Sequence, residues 1–306
     1  MEKLNCKTPI FQIDNHLWIK REDLIPFSFG GNKARKAQLF FEDFDNGNYD
    51  CIVTYGSSSS NHCRIIANIA ASRGIPCYII SPLENYVRTS NSQLIRLLGA
   101  EIETVPVECV HQTITHKLVG LKKRGFKPYF IQGGGHGNLG TKAYIQCYDE
   151  IVEWEKENGV FFDYIFFASG TGTTQAGLIC GQIIHNDKRK IVGISVARKN
   201  PRGKQVIVDS IKEYLGELDD AEKNVIFIDD FIGEGYGKSN SGVAKTIKDV
   251  FVKYGLPLDK TYTGKAFFGM MEYLREHNIS KKNILFIHTG GTPLFFDSLN
   301  DLETML

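Results

Sequence analysis

Lys33 is the residue of this sequence whose setting most strongly suggests chemistry. It lies in "FSFGGNKARK" (27–36), after two glycines and an asparagine and before two further cations, Arg35 and Lys36. The glycines weaken regular structure and free the backbone for close approach to a ligand. Burial or neighbouring cations lower the pKa of a lysine amine, which can then form an imine with a carbonyl group. A solvated surface loop that leads into a helix is the alternative for this stretch.

Three turns rich in small residues each follow a predicted strand. They read "YGSSSSNH" (55–62), "SGTGTTQAG" (169–177) and "HTGGTP" (288–293). In open α/β sheets, ligands bind at the carboxyl ends of the strands, where such turns converge. Backbone N–H groups at a helix start, supplemented by Ser and Thr hydroxyls, suit a phosphate.

The turn from Gly170 to Thr174 is the candidate phosphate site, although a simple tight turn and helix cap would also fit it. It does not match a nucleotide fingerprint. Gln175 stands where a P-loop requires lysine, and no G-x-G-x-x-G with a downstream acid is present. The turn therefore favours a small phosphate monoester over ATP or NAD.

The serine turn, Ser57 to Ser60 followed by Asn61 and His62, offers hydroxyls and N–H groups that could bind a carboxylate. A flexible loop that only caps a helix is the alternative, and His62 taken alone is more typical of a helix start than of catalysis. A lysine amine, a phosphate turn and a carboxylate clamp together describe a pyridoxal 5′-phosphate site.

Short β-branched and aromatic runs predict buried strands, and most are separated by segments of helical character. The strands are predicted at 51–56, 77–81, 101–106, 128–132, 164–169, 190–196, 224–229 and 283–289, and the helices at 61–74, 90–99, 138–159, 172–185 and 265–278. The polar stretch 199–222 is predicted to be a surface loop and a helix. Strand–helix alternation of this kind predicts an α/β fold with parallel sheets and crossover helices.

Composition narrows the class of protein. The 306 residues are 42% hydrophobic and 23% charged, as in an ordinary globular protein, and the net charge of +1 gives no reason to expect a nucleic-acid or acidic-membrane partner. Seven scattered cysteines without a C-x-x-C pair argue against a disulfide framework and a structural zinc site, so no metal is expected. The polar start and the absence of a run of about eighteen apolar residues predict a cytoplasmic protein.

Five motifs in register resemble the fold-type II pyridoxal-phosphate enzymes, the tryptophan synthase β-subunit superfamily. Within it the sequence is most similar to the 1-aminocyclopropane-1-carboxylate (ACC) deaminase and D-cysteine desulfhydrase family. The motifs are "GGNKARK" (30–36), "SNHCR" (60–64), "SGTGTTQAG" (169–177), a two-part tyrosine motif formed by "EGYG" (234–237) together with "TYTGKAFFGM" (261–270), and "FIHTGGTPLFF" (286–296).

The resemblance implies a two-lobed fold of parallel-rich sheets flanked by helices. A large cofactor-binding domain would comprise 1–36 and 141–306, and a small substrate-gripping domain would comprise 37–140. The resemblance also implies a homodimer that acts on a small amino acid.

The resemblance further implies roles for individual residues. Lys33 would form the internal aldimine and carry protons, Asn61 would bond the 3′-oxygen of the cofactor, and Thr263 would meet its ring nitrogen. The implied catalytic and substrate-binding set is Lys33, Ser60, Asn61, His62, Tyr236 and Tyr262. The implied cofactor-binding set is Lys33, Asn61, Gly170, Thr171, Gly172, Thr173, Thr174, Thr263, Thr289 and Gly290.

Thr263 also bears on the reaction. Deaminases that open the cyclopropane ring resemble Y-E-G-K, whereas this chain has "YTGK" (262–265), as in the desulfhydrase branch. A hydroxyl in place of a carboxylate supports a weaker electron sink, which suffices for Cα-proton loss and departure of a β-leaving group. His62 in place of glutamine points the same way.

The expected reaction is therefore β-elimination, with D-cysteine giving pyruvate, hydrogen sulfide and ammonia. ACC deamination and β-replacement are the enzymatic alternatives, and a non-catalytic phosphate-ligand binding protein is the alternative from another class. The sequence departs from the family pattern at "QGGGHGNLG" (132–140), where His136 stands near the serine of the family, and this departure is expected to alter the substrate pocket.

Overall fold

The computed structural model describes residues 7–83, 88–218 and 221–299. Its strands are β1 Ile10–Asp14, β2 Leu17–Arg21, β3 Cys51–Tyr55, β4 Cys77–Pro82, β5 Glu101–Val105, β6 Pro128–Ile131, β7 Tyr164–Ser169, β8 Lys190–Ser195, β9 Ile226–Ile228 and β10 Ile284–His288. Its α-helices are α1 Asn32–Asn46, α2 Asn61–Ser72, α3 Ser90–Leu97, α4 Val110–Lys123, α5 Asn138–Asn158, α6 Thr173–Ile184, α7 Arg202–Leu215, α8 Ser241–Tyr254, α9 Thr263–Glu276 and α10 Thr292–Phe296.

Within the described residues, the strands form two sheets. The larger has the order β1-β2-β10-β7-β8-β9, and only its β1–β2 hairpin is antiparallel. The smaller has the order β5-β4-β3-β6 and is parallel throughout. Parallel strands place their carboxyl ends at one edge, so the turns that follow them converge there.

Helices cover both faces of each sheet, which is why the strands are rich in apolar residues on both sides. In the large sheet, Phe167 lies in a core with α5, α6 and α7, and its neighbour Phe166 lies in a core with α8 and α9. In the small sheet, Ile52 packs with α1, α2 and α3, and Val53 packs with α4. Adjacent residues of a strand therefore serve opposite cores, as the two-residue side-chain period requires.

The predicted fold class is confirmed, and each predicted strand and helix forms close to its predicted bounds. The β1–β2 hairpin was not predicted, because its charged and polar residues obscure the alternation. The small sheet is built from residues between 51 and 131, and the predicted domain boundaries after residues 36 and 140 fall inside α1 and α5. The division into two domains at those residues stays a prediction.

Further features of the described residues bear on function. Six cysteines lie within them, and all are free thiols. No group of three His, Cys, Asp or Glu side chains in those ranges is arranged to hold a metal ion. No helix in the described ranges combines the length and apolar character needed to cross a membrane.

Candidate active site

A cavity of about 590 Å³ lies between the carboxyl edges of the two sheets. The described residues that line it include no aspartate and no glutamate, so the walls favour an anionic ligand. Seven of the predicted site residues line it, namely Lys33, Ser60, His62, Gly170, Thr171, Tyr236 and Tyr262.

Lys33 is presented by the start of helix α1. Gly31, at the N-cap with φ 97°, has no room for a side chain, because a Cβ would lie 2.7 Å from the Thr289 carbonyl oxygen. That same carbonyl accepts the Asn32 N–H at 2.9 Å, which fixes the first turn of the helix. The Lys33 Nζ then reaches across the cavity and donates to the carbonyl of Gly134 at 2.9 Å.

The Lys33 amine is electrostatically poised for nucleophilic chemistry. Burial, assisted by the positive charge of Arg198, lowers its pKa to about 8. From the sequence, burial or the neighbouring cations Arg35 and Lys36 were expected to lower the pKa of Lys33. In the structure burial does lower it, and the cation that contributes is Arg198. Arg198 lines the same cavity and donates to the Gly170 carbonyl at 3.0 Å.

Arg35 does not act on Lys33, because two carboxylates neutralise it. Its Nε lies 2.6 Å from Glu22 Oε2, and its Nη1 lies 2.7 Å from Glu150 Oε1. Lys20 Nζ joins the same buried network at 2.7 Å from Glu150. Burial raises the pKa of Glu22, but Arg35 and Lys20 outweigh it and hold that pKa at about 2.

Lys36 is the unexplained cation of the motif. Its side chain is 1% exposed, and its Nζ has no hydrogen-bond partner among the described residues. Burial and the charge of Lys33 hold its pKa well below the ordinary lysine value. A buried amine without an acceptor is costly unless a ligand completes it, so Lys36 is suited to meet an anionic group.

The predicted phosphate turn leads directly into helix α6. Its N-cap, Gly172, has φ 93° and carries no capping side chain, so the first N–H groups of the helix remain available to an anion. Thr174 Oγ1 accepts from the Asn32 amide at 3.2 Å, and Thr173 Oγ1 bonds His136 Nδ1 at 2.8 Å. Burial, together with Lys36 and Arg198, lowers the pKa of His136, so the imidazole beside the turn is neutral.

The serine turn caps helix α2 and aims its first N–H groups outward. Ser60 Oγ accepts the Cys63 N–H at 3.2 Å, which leaves the hydroxyl proton of Ser60 available. The main-chain N–H groups of Asn61 and His62 have no intrahelical acceptor, because they belong to the first turn of the helix. A carboxylate placed here would meet a hydroxyl, two N–H groups and the positive end of the helix dipole.

The His62 imidazole cannot itself donate to a carboxylate in this arrangement. Thr54 Oγ1 donates to the Ile131 carbonyl at 2.7 Å, so His62 Nε2 must be the donor in its 2.8 Å bond to the same Thr54 oxygen. Burial, Lys33 and Lys36 hold the pKa of His62 well below its ordinary value, so Nδ1 carries a lone pair. His62 is therefore suited to bind an anion through its main chain.

The amide of Asn61 has a fixed orientation. Its Oδ1 accepts from Asn91 Nδ2 at 2.8 Å and from Arg64 Nη2 at 3.5 Å. Asn91 Nδ2 also donates to the Ser59 carbonyl at 2.9 Å, which determines which end of the Asn91 amide faces Asn61. The Asn61 Nδ2 group thus remains free to donate to a ligand oxygen.

Tyr236 and Tyr262 form a hydroxyl pair at the cavity. Their hydroxyls are hydrogen-bonded to each other, and Tyr236 also bonds Ser57 Oγ at 3.2 Å. Burial raises the pKa of Tyr262 well above its ordinary value, and Tyr236 reinforces the effect. Tyr262 therefore stays protonated and can donate a proton or a hydrogen bond.

Three predicted cofactor residues lie behind the cavity wall. Thr263 Oγ1 bonds the buried carboxylate of Asp259 at 2.8 Å. Thr289 and Gly290 pack against the start of α1, where a Cβ on Gly290 would lie 2.7 Å from Gly31 Cα. Of the phosphate turn, Gly170 and Thr171 line the cavity, whereas Gly172, Thr173 and Thr174 are not among the lining residues.

Sequence reasoning missed several residues that shape the site, namely Asp259, Asn91 and Arg198. Arg198 follows strand β8, and the strand-end rule that located the three turns could have found it. Asn91 and Asp259 act through contacts between distant segments and gave no local signal.

Comparison with known proteins identifies the family. Residues 1–290 match the family described as "Pyridoxal-phosphate dependent enzyme". The chain belongs to this family. It is therefore a pyridoxal-phosphate-dependent enzyme, which sets aside the non-catalytic alternative.

Individual relatives narrow the assignment. A D-cysteine desulfhydrase of Serratia proteamaculans (strain 568) is 31% identical over 303 residues, covering 93% of this chain and 89% of the relative. A putative 1-aminocyclopropane-1-carboxylate deaminase of Pyrococcus abyssi (strain GE5 / Orsay) is 35% identical over 288 residues, covering 92% and 86%. A solved structure of an ACC deaminase homologue superposes with a TM-score of 0.86 at 30% identity, covering 100% of this chain and 95% of that one. The enzyme is thus a fold-type II member of the ACC deaminase and D-cysteine desulfhydrase family.

The residues present fit pyridoxal phosphate. The uncapped start of α6 and the orphaned amine of Lys36 match a phosphate, and the free amide of Asn61 matches a phenolic oxygen. Gly134 has no room for a side chain, since a Cβ would lie 2.6 Å from Thr171 and 3.4 Å from Lys33 Nζ. Any larger residue at position 134 would therefore displace Thr171 of the phosphate turn and crowd the Lys33 amine.

Proposed function

We propose that this enzyme catalyses β-elimination on a small amino acid, with D-cysteine as the substrate and pyruvate, hydrogen sulfide and ammonia as the products. The observation that carries the proposal is the arrangement within one cavity of a Lys33 amine with a pKa near 8, a tyrosine pair and the serine turn at the start of helix α2. These groups supply a proton carrier, a proton donor and a carboxylate site.

The cofactor would be held by Lys33, by the N–H groups of the Gly170–Thr174 turn, by Lys36 and by the Asn61 amide. When bound, pyridoxal phosphate supplies an electron sink that acidifies the Cα–H of an attached amino acid. The roles of Thr289 and Gly290 are then to fix the start of α1, because they contact Gly31 and Asn32.

The substrate carboxylate would bind at the start of α2, to the Ser60 hydroxyl and to the N–H groups of Asn61 and His62. Lys33 would move the Cα proton, because burial makes its neutral form accessible near neutral pH. Tyr262 would donate a hydrogen bond to the departing sulfur, because its raised pKa keeps the phenol protonated. Tyr236 would orient Tyr262 through their shared hydrogen bond.

Thr263 is the reason for favouring elimination from D-cysteine over opening of the cyclopropane ring. In the ring-opening relatives, the family resemblance implies a glutamate at this position to support a stronger electron sink. Here the single hydroxyl proton of Thr263 is directed to Asp259 Oδ2 at 2.8 Å.

The experiment is a substrate panel on the purified, cofactor-loaded enzyme. D-cysteine, L-cysteine, D-serine, β-chloro-D-alanine and ACC are compared for release of 2-oxo acid, and the cysteines also for sulfide. We expect D-cysteine to be fastest and Lys33→Ala to be inactive. Borohydride reduction followed by peptide mapping should place the cofactor on Lys33, and ACC turnover faster than D-cysteine turnover would overturn the choice of substrate.

ACC deamination is the second candidate, because the Pyrococcus relative and the superposed structure carry that name. β-Replacement would use the same residues and is distinguished by adding a thiol acceptor to the panel. A new amino-acid product in place of pyruvate would identify it.

We also propose a cytoplasmic homodimer whose domains comprise 1–36 with 141–306, and 37–140. The support is the family resemblance and, for the cytoplasm, the free thiols within the described residues. Light scattering coupled to gel filtration measures the mass directly, and a monomer mass near 34.4 kDa would contradict the dimer.

A further inference from the structure

Tyr236 is carried by a loop that contains three glycines with positive φ angles. Residues 229–240, here called the tyrosine loop, connect β9 to α8. Gly233, Gly235 and Gly237 adopt positive φ angles of 67°, 125° and 73° around Tyr236. Glycines in this region lose much conformational freedom when ordered, so the loop needs contacts from outside to hold one shape.

Lys265 provides such contacts from beneath the loop. Its side chain is 1% exposed, and its Nζ donates to the carbonyls of Ile232 and Gly235, each at 2.7 Å. Among the described residues, no carboxylate lies within ion-pair distance of this ammonium. Burial lowers the pKa of Lys265 to about 8, and Asp259 partly offsets the effect, so the group is largely cationic at neutral pH. Hydrogen bonds from a cation to carbonyls are stronger than neutral ones.

The position of Lys265 in the fold relates these hydrogen bonds to the two tyrosines of the cavity. Lys265 and Tyr262 stand at the start of the same helix, α9, and Gly235 immediately precedes Tyr236. A bond from Lys265 to Gly235 therefore sets the distance between the backbones that carry the two tyrosines. The Tyr236 hydroxyl also reaches Ser57 at 3.2 Å, so it joins the large-sheet side of the cavity to the serine turn of the small sheet.

We propose that Lys265 is a positioning residue that fixes the tyrosine loop and thereby keeps the Tyr236 hydroxyl on Tyr262 and Ser57. The effect on turnover rests on the proposed function, because it acts through the two tyrosines. The effect on the loop does not, and can be measured without any substrate.

The test compares Lys265→Met with wild type in the cofactor-loaded protein. Met keeps the length of the side chain and removes its N–H groups. We expect amide hydrogen exchange of a peptide covering 232–238 to accelerate by about tenfold or more, since the anchor that orders it is gone. Turnover should fall by roughly 10- to 100-fold, because small displacements of reacting groups cost that much, while cofactor content remains full. Lys245→Met, on the exposed face of α8, is the matched control and should change neither readout.

A double mutant separates positioning from general stability. If Lys265 acts through Tyr236, then Lys265→Met in a Tyr236→Phe background lowers turnover no further than Tyr236→Phe alone. Lys265→Arg keeps a cationic donor and should recover part of the activity. If Lys265→Met does not fold, Lys265→Arg becomes the test variant, and the proposal then expects it to keep slow exchange of the 232–238 peptide together with part of the activity. Unchanged exchange in folded, loaded Lys265→Met, or additive losses in the double mutant, would overturn the proposal. Faster exchange in an enzyme that does not turn over D-cysteine would sustain it and reject the proposed substrate instead.

Discussion

The Thr263 hydroxyl donates a hydrogen bond to the buried carboxylate of Asp259, with 2.8 Å between Oγ1 and Oδ2. Thr263 Oγ1 also accepts the main-chain N–H of Asp259 at 2.9 Å. Asp259 also receives the N–H groups of Thr261, Tyr262 and Thr263, so one carboxylate organises the whole start of α9. Burial raises the pKa of Asp259 in spite of these donors. The residue that the family resemblance places at the ring nitrogen is therefore itself held by a buried acid.

Replacing Thr263 with valine should destabilise the protein by about 1–3 kcal/mol, because a buried acceptor and a buried donor lose their partner. Urea unfolding of the cofactor-free protein measures the change. Thr263→Ser retains the hydroxyl and is the control. A valine variant as stable as the serine variant would show that the pair does not contribute.

The rate of cofactor attachment should depend on pH with a midpoint near 8. In the proposed attachment at Lys33, only the neutral amine reacts, and its pKa is lowered to about 8 by burial and by Arg198. The rate therefore rises as the pH is increased through that value and levels off above it. Stopped-flow absorbance after mixing cofactor-free protein with pyridoxal phosphate records it.

The same measurement on Arg198→Gln tests the origin of the shift. Removing the cation raises the pKa of Lys33, so the midpoint should move to higher pH. Lys199→Gln, an exposed neighbour, is the control. An unmoved midpoint in Arg198→Gln would assign the whole shift to burial.

Glu22→Gln should cost about 3–5 kcal/mol of stability at pH 7, because it leaves Arg35 buried with an incomplete set of partners. The folded-state pKa of Glu22 is about 2, below the ordinary glutamate value of 4.5, so this stabilisation is present above pH 4.5 and is lost as the pH falls toward 2. The difference between wild type and variant in denaturant unfolding should shrink over that range. A constant difference would mean that the glutamine destabilises through packing and not through charge.

Asn91→Asp should weaken binding of pyridoxal phosphate by about tenfold, the cost of roughly one to two hydrogen bonds. The new carboxylate would repel the Ser59 carbonyl and Asn61 Oδ1, both of which now accept from Asn91. The Asn61 amide would then turn its oxygen toward the cofactor. Fluorescence titration of the cofactor-free protein gives the affinity, and Asn91→Ala, which removes donors without adding charge, should show a smaller loss.

The sequence predicts the strands well because both faces of each sheet are covered, so buried runs such as 51–55 and 164–169 are continuously apolar or β-branched. It also predicts which turns meet, since parallel strands share a carboxyl edge. The β1–β2 hairpin is not predicted, because the buried Lys20 of β2 is paired with Glu150, which lies 130 residues away in the sequence.

Within the site, features set by local sequence patterns were likewise predictable, and features set by contacts between distant segments were not. Lys33, the serine turn and the phosphate turn are local patterns, and residues from all three line one cavity. Contacts between segments that are distant in the sequence determine the remaining features of the site. The partners of Arg35, the orientation of Asn61 and the carbonyls beneath Lys265 each come from segments that local spacing does not relate.

Strand β10 lies between β2 and β7, and the turn after it supplies the Thr289 carbonyl that receives the Asn32 N–H. The helix start that presents Lys33 is thus set in place by a segment that lies far along the sequence from it. During translation, β10 and the turn after it must leave the ribosome before this helix start acquires its neighbour. A nascent chain halted before residue 284 will lack the carbonyl that holds this helix start, so we expect the proposed loading of Lys33 with cofactor to require β10 and the turn after it.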